Sequence, residues 1–218
     1  MKTIAIFDLD GTLLYTLEDL TDSVNFALKE FNLPECTVQQ VRSFVGNGIR
    51  KLMERAIGIN QNELSQNDFE NCLAIFKSHY EKNMYNKTKP FDGIIELLKN
   101  LKETNIKIAV SSNKFDSAVK ELCEYYFPSL IDIAIGESKI TPKKPDPSGV
   151  LQIIDYFQEK KENCVYIGDS EVDIQTAQNA NVDCISVDWG YKDKSFLIEH
   201  NAQNIISTPL DLFKEITK

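Results

Sequence analysis

The apolar run Ile4-Ala5-Ile6-Phe7 leads without interruption into Asp8-Leu9-Asp10-Gly11-Thr12-Leu13, and this junction limits what the chain can fold into more than any other stretch. Four apolar residues in succession describe a strand buried on both faces, as at the centre of a parallel sheet. Period-two geometry places Asp8 and Asp10 on one side, and Gly11 lets the backbone leave the strand in a conformation other residues resist. Two carboxylates held that close repel each other and need a cation, a shared proton or open water. A core strand offers little water. The junction therefore predicts a metal-assisted carboxylate site at the carboxyl end of a strand, where open α/β sheets bind their ligands. The structural alternative is an Asp-rich turn that only caps the next helix.

The chain has 218 residues, room for one large domain or a core with a smaller partner. Its net charge of −9 argues against a nucleic-acid groove or an anionic membrane surface, both of which need basic patches. With no leader pattern and no apolar run of spanning length, the expectation is a cytoplasmic protein acting on a small molecule, as a monomer or homodimer. Cys36, Cys72, Cys123, Cys164 and Cys184 are scattered and never paired as C-x-x-C, so they are expected as reduced core residues.

After Leu13 the periodicity turns helical. Leu17, Leu20, Val24, Ala27, Leu28 and Phe31 share a stripe with Thr16 as N-cap. A second helix is expected after Gly46-Asn47-Gly48 and ends at Gly58; a third, from about Leu64 to Met84, carries Phe69, Leu73, Phe76 and Tyr80. From residue 87 strands and helices alternate, the pattern of a parallel sheet covered by helices. Strands are expected at Ile106–Ser111, Ile131–Ile135, Cys164–Ile167, Cys184–Val187 and Asn204–Ile206. The fold class is thus α/β: a core of residues 1–14 and 87–218 with an all-helical domain, residues 15–86, inserted after the first strand.

Polar residues gather where such a sheet would bring them together: Ser111-Ser112-Asn113-Lys114, Lys143-Lys144-Pro145-Asp146-Pro147 and Gly168-Asp169-Ser170-Glu171-Val172-Asp173 join Asp8 and Asp10. Acids could hold a hard cation, hydroxyls and amides could donate to phosphate oxygens, and a lysine supplies fixed positive charge. Oxygen-rich ligation with few residues suits Mg²⁺. Singly, each piece is an ordinary turn, loop or helix cap; their order and shared placement favour function.

Asp8-Leu9-Asp10-Gly11-Thr12-Leu13, Ser112, Lys144-Pro145 and Gly168-Asp169-Ser170-x-x-Asp173 resemble, in order, the four motifs of the haloacid dehalogenase-like hydrolase superfamily. The resemblance implies a Rossmann-like core and makes the helical insertion a C1-type cap. Within the superfamily, Phe44–Gly48, Lys87–Gly93 and Val187–Tyr191 resemble phosphoglycolate phosphatases. By that resemblance Asp8 is the nucleophile and forms an aspartyl-phosphate, Asp10 carries the proton to the leaving group and from water, and Lys144 offsets phosphoryl charge. Ser112, with Ser111 as competitor, and Asn113 would bind the phosphoryl group; Thr12 would bind it or stabilise the turn. Asp8, Asp169 and the backbone carbonyl of Asp10 would hold Mg²⁺, with Asp173 supporting either the metal shell or Lys144. Asn181 stands where a glycine is common and suits a left-handed C-cap.

In the expected cap, Gly46-Asn47-Gly48 before a helix offers amides and a positive dipole end for a substrate carboxylate, with Arg50 nearby; a plain glycine turn is the alternative. Cys36 and Arg42 match the spacing of cysteine phosphatases, but the intervening residues lack the glycines such a loop needs. His79 and His200 have no partners for phosphohistidine or zinc chemistry. The implied activity is Mg²⁺-dependent hydrolysis of a small phosphomonoester, foremost 2-phosphoglycolate. Pyrophosphatase, nucleotidase and sugar-phosphate phosphatase or mutase activities are the alternatives within the superfamily, and a non-catalytic phosphate-sensing or partner-binding protein is the alternative outside it.

Overall fold

In the computed structural model, which describes residues 2–59 and 63–218, the first apolar run forms strand β1 (Ile4–Phe7) with all four residues buried. The chain continues through β2 (Leu14–Tyr15) into helices α1 (Leu17–Glu30), α2 (Val38–Phe44), α3 (Gly48–Gly58) and α4 (Gln66–Asn83), then β3 (Lys89–Pro90). From there it alternates through α5 (Ile94–Glu103), β4 (Lys107–Phe115), α6 (Asp116–Tyr126), β5 (Ile133–Glu137) and α7 (Ser148–Tyr156). It ends with β6 (Cys164–Gly168), α8 (Glu171–Ala180), β7 (Asp183–Val187), α9 (Lys194–Glu199), β8 (Ile205–Ile206) and α10 (Pro209–Thr217).

Six strands form one sheet in the order β5-β4-β1-β6-β7-β8, and every pair is parallel. The chain builds outward from β1 to one edge and then returns to build from β6 to the other. The order therefore reverses between β1 and β6, the place where open parallel sheets leave a crevice at their carboxyl ends. On one face Ile4, Ile6, Ala109, Cys164 and Tyr166 meet Val150, Ile153 and Ile154 of α7 and Ala177 and Ala180 of α8. Each large aliphatic side chain fully buried there stabilises the layer by about 1.5–3 kcal/mol.

The chain divides into two units, Met1–Tyr15 with Pro90–Lys218 and Thr16–Lys89. The second unit is helical from α1 to α4, and α1 packs chiefly on α4.

Several elements differ from the sequence expectation. Thr16 occupies the N-cap position of α1 without a capping bond from its side chain. Helix α2 was not expected, although Thr37 and Gln40 form a capping box at its start; this is the Cys36–Arg42 stretch, and Cys36 is buried, with Sγ 3.8 Å from the Ala56 carbonyl. Gly58 is the last residue of α3 rather than its stop. Strand β4 runs on to Phe115, past the expected end at Ser111, because pairing with β5 resumes after a register shift; Ser111–Lys114 are thus strand residues. Helix α9 has only six residues and is capped by Asp193, whose side chain accepts from the Phe196 amide; it is too brief to show a period. Asn181 has φ 57 and ψ 52 at the end of α8, the left-handed cap anticipated. All five cysteines are free, and no described helix is long and apolar enough to cross a membrane.

In the helical unit, Asp19 is buried and its carboxylate accepts from the amides of Lys87 and Thr88 and from the Thr88 hydroxyl, at 2.8–3.0 Å. One side chain thereby ties the first turn of α1 to the far end of the unit. Asp19→Ala leaves those donors unsatisfied, and the expected outcome is a loss of about 2–4 kcal/mol, read as a lower thermal midpoint by circular dichroism; a midpoint unchanged within 1–2 °C, set against the scale of about 2–4 °C per kcal/mol, would contradict this role.

Candidate active site

Asp8 is the first residue beyond β1. Its amide donates to the Ile167 carbonyl at 2.8 Å, so the ladder to β6 carries on one residue past the strand and fixes Asp8 in the crevice. The chain then coils tightly: the Leu9 carbonyl accepts from Leu13 and Leu14, and the Gly11 amide donates to the Leu14 carbonyl. Gly11 has φ +87, and a Cβ there would run into the Asp169 carboxylate. Gly190, in the loop after β7, is equally pressed, since a Cβ would strike both the Gly11 carbonyl and Asp169. The two glycines let three chain segments converge on one carboxylate.

Lys144 sits among acceptors. Its Nζ lies 2.9 Å from Asp8 Oδ1, 2.7 Å from Asp173 Oδ1 and 2.9 Å from the Tyr166 hydroxyl, so each ammonium hydrogen has a partner. The Tyr166 hydroxyl is also 3.0 Å from the Ser111 carbonyl. Asp173 accepts at Oδ2 from the Ser170 amide and hydroxyl. Both Asp173 oxygens are therefore engaged, Oδ1 on Lys144 and Oδ2 on Ser170. Asp169 accepts from the Tyr191 amide at 2.6 Å, with the Thr12 hydroxyl 3.4 Å away.

Burial pushes the Asp8 carboxyl up from 3.8 to about 7; Lys144 pulls it down, while Asp173 and Asp10 raise it further. Burial also holds Asp169 well above the usual carboxylate range, with Asp173 and Asp8 adding to it. Burial works against the charge on Lys144, but Asp173 and Asp8 outweigh it and hold the ammonium well above its ordinary value. The two partners thus move in the same direction for different causes, burial for Asp8 and the neighbouring carboxylates for Lys144, and the surplus of acids around them adds to both. Asp8, Asp169 and Asp173 bring carboxylate oxygens within 4.8 Å of one another against the single ammonium of Lys144. This excess of two charges, on hard oxygen donors, fits a divalent cation. Because Asp173 is occupied by Lys144 and Ser170, Asp8 and Asp169 are the acids best placed to hold one.

The remaining expected residues divide. Asp10 lies at the same crevice, its Oδ2 3.1 Å from Lys114 Nζ. Ser112 accepts at Oγ from the Lys114 amide, while a Cβ on Gly149 of α7 would lie 2.9 Å from Ser111 Oγ. Asn113, expected to bind substrate, uses both ends of its amide on the Lys144 backbone, at 2.5 and 3.1 Å; its geometry is that of a brace for Lys144. Gly46, Asn47, Gly48 and Arg50 belong to the helical unit. Gly46 and Gly48 have φ +117 and +79, and α3 begins at Gly48. The Arg50 guanidinium is already bonded to both oxygens of Glu70, at 2.8 and 2.9 Å, and stacks over Phe69. His79 stacks on Phe26 and His200 on Phe196, which are packing roles.

Sequence reasoning gave no role to Lys114, missed Tyr166, and singled out Val187–Tyr191 only for its resemblance, with no role in the site. A tyrosine within the apolar run Cys164–Ile167 was the available signal for Tyr166. The resemblance marked the stretch that ends at Tyr191 but not its contribution, which is a backbone amide.

The model of the haloacid dehalogenase-like hydrolase family matches residues 5–187. A phosphoglycolate phosphatase of Mesorhizobium japonicum is 32% identical over 194 residues, covering 88% of this chain and 86% of the relative. One of Aquifex aeolicus is 30% identical over 215 residues, covering 97% and 95%. A crystal structure of a Lactobacillus delbrueckii subsp. bulgaricus protein superposes with a TM-score of 0.91 at 36% identity, covering 99% of both chains. The family match spans both the acids after β1 and the Gly168–Asp173 turn that meets them across the crevice, and on that ground the chain belongs to the haloacid dehalogenase-like hydrolases.

Proposed function

We propose that the protein is a Mg²⁺-dependent phosphomonoesterase that works through an aspartyl-phosphate on Asp8, with 2-phosphoglycolate as its substrate. The observation that carries this reading is the cluster of Asp8, Asp169 and Asp173 around Lys144, with Asp10 beside it. In the first step an Asp8 oxygen bonds to phosphorus, the ester P–O bond breaks, and the proton on Asp10 passes to the leaving oxygen. In the second, water attacks phosphorus, its proton returns to Asp10, and the bond from Asp8 to phosphorus breaks. Lys144, braced by Asp173, Tyr166 and Asn113, holds a fixed positive charge beside the transferring group. Ser112 is assigned to the phosphoryl oxygens, since the Ser111 hydroxyl is packed against α7. Mg²⁺, held by Asp8, Asp169 and the Asp10 carbonyl, would supply charge neutralisation for the phosphoryl oxygens.

The substrate is taken from the relatives, which are phosphoglycolate phosphatases. Gly46, Asn47, Gly48 and Arg50 are assigned to its carboxylate; Arg50 would exchange Glu70 for the ligand. The free cysteines suit a reducing cytoplasm. The deciding experiment is a panel with Mg²⁺ comparing phosphoglycolate, pyrophosphate, nucleotides and sugar phosphates; phosphoglycolate is expected to give the highest kcat/KM, and a clear preference for another class would displace it.

Asp8→Asn is expected to lower Mg²⁺-dependent turnover by a factor on the order of 10³ or more, and near-normal activity would sink the mechanism. The same variant tests the charge excess. With a carboxyl at about 7 in the fold and 3.8 when free, the folded chain holds a proton that the unfolded chain has lost between those values. Stability of the EDTA-treated protein should therefore fall as pH rises from about 4 to about 7. Asp8→Asn removes the part of this slope that Asp8 contributes and leaves that of Asp169, so its thermal midpoint at pH 8 should exceed the parent's, while Mg²⁺ should raise the parent's midpoint more than the variant's.

Arg50→Ala is expected to raise KM several-fold for a carboxylated substrate and less for an aryl phosphate, on the scale of one charge-assisted contact of about 1–2 kcal/mol. Equal effects on both would remove Arg50 from recognition.

A further inference from the structure

Each acid of the opening motif has its own lysine. Asp8 meets Lys144, which arrives on the loop before α7. Asp10 meets Lys114, which arrives on β4, with Nζ 3.1 Å from Oδ2 and the two side chains 2% and 14% exposed. A buried ion pair bears a desolvation cost that its attraction only roughly offsets, so the notable feature of this pair is the geometry it imposes.

That geometry is anchored on both sides. The Lys114 amide donates to Ser112 Oγ at 3.3 Å, so the residue assigned to the phosphoryl group and the residue gripping Asp10 are two apart on one strand. The Lys114 carbonyl lies so close to Gly136 of β5 that a Cβ there would strike it, and the Gly136 amide is held by Asp116 Oδ1 at 3.0 Å. The backbone that carries Lys114 has no slack. Asp10 sits in the tight turn beyond β1, bridged to Leu14, and Lys114 reaches its carboxylate from a different strand.

We propose that Lys114 is the positioning residue of the proton-transfer step, holding the Asp10 carboxyl group in line with the ester oxygen that departs. This rests on the phosphomonoesterase reading above. A proton donor works only within hydrogen-bond reach of the atom it serves, and what it contributes depends on the leaving group. An alkoxide leaving from phosphorus needs the proton as the bond breaks, whereas p-nitrophenolate leaves as a stable anion.

The test is the ratio of kcat for an alkyl phosphate to kcat for p-nitrophenyl phosphate, measured on one preparation with Mg²⁺. Because both values come from the same folded molecules, the ratio is indifferent to partial unfolding of a variant. Lys114→Met is expected to lower this ratio by about tenfold or more, a part of the 10²–10⁴ that general acid catalysis supplies. Lys114→Arg, which can make the same ion pair, should recover most of it. Combined with Asp10→Asn, the Lys114→Met change should lower the ratio no further than Asp10→Asn alone, since two residues acting on one step are not additive. A ratio equal to the parent's in Lys114→Met, or losses that multiply in the double variant, would overturn the proposal while leaving the phosphomonoesterase intact. A parent that hydrolyses neither ester would remove the reading beneath both.

Discussion

Three buried carboxylates packed together, two of them on one ammonium, in the crevice where the sheet order reverses, form the constraint on which the rest of this core depends. Such a cluster is costly, because like charges in a poorly solvated site repel and no hydrogen bond removes the excess. The surrounding chain is arranged to hold it together nonetheless. Gly11 and Gly190 give up their side chains so that Asp169 can be reached from three directions. Asn113 braces the Lys144 backbone from β4, Tyr166 supports its ammonium from β6, and Asp173 is tethered by the cap of α8. The parallel sheet places all of these ends on the same side.

The arrangement separates acids that are identical in type. Asp173 is saturated by hydrogen bonds and faces Lys144. Asp169 is held by a backbone amide, and Asp8 is raised by burial into the neutral range. Asp10 is gripped by a lysine from a different strand. One kind of side chain thus has four environments, and in each the partners rather than the residue set the chemistry available. That is the physical content of a site that could bind a cation, attack phosphorus and carry a proton with aspartates alone.

Much of this was legible beforehand, and the parts that were not share a cause. The central strand, the alternation from residue 87 onward and the long helices carry strong periods, and they formed within a few residues of expectation. Helix α2 and helix α9 are short, so periodicity had too few repeats to register, even though Thr37 and Gln40 carried a capping signal. Strand β4 overran its expected end because Ser111–Lys114 are polar, and polarity reads as a loop unless pairing with β5 is known. The gathering of Asp8, Asp10, Lys144 and Asp169 at one crevice could be read because charged residues recur at successive strand ends. Asn113 could be read as polar but not as a brace, and Arg50 as cationic but not as already bonded to Glu70.

The sequence by itself determined that a buried strand delivers two acids to the end of a parallel sheet, and that further acids, hydroxyls and a lysine follow at later strand ends. Those are consequences of hydrophobic period and residue type, both local. Only the tertiary structure decided the pairing: which acid Lys144 touches, that Lys114 belongs to Asp10, that Asp173 is spent on Lys144 and Ser170, and that the Tyr191 amide caps Asp169. Ser170 apart, which caps α8 only three residues from Asp173, these partners are separated by 22 to more than 100 residues along the chain and are brought within hydrogen-bond distance by the sheet order. Electrostatic interaction depends on those distances and on burial, neither of which a linear spacing records.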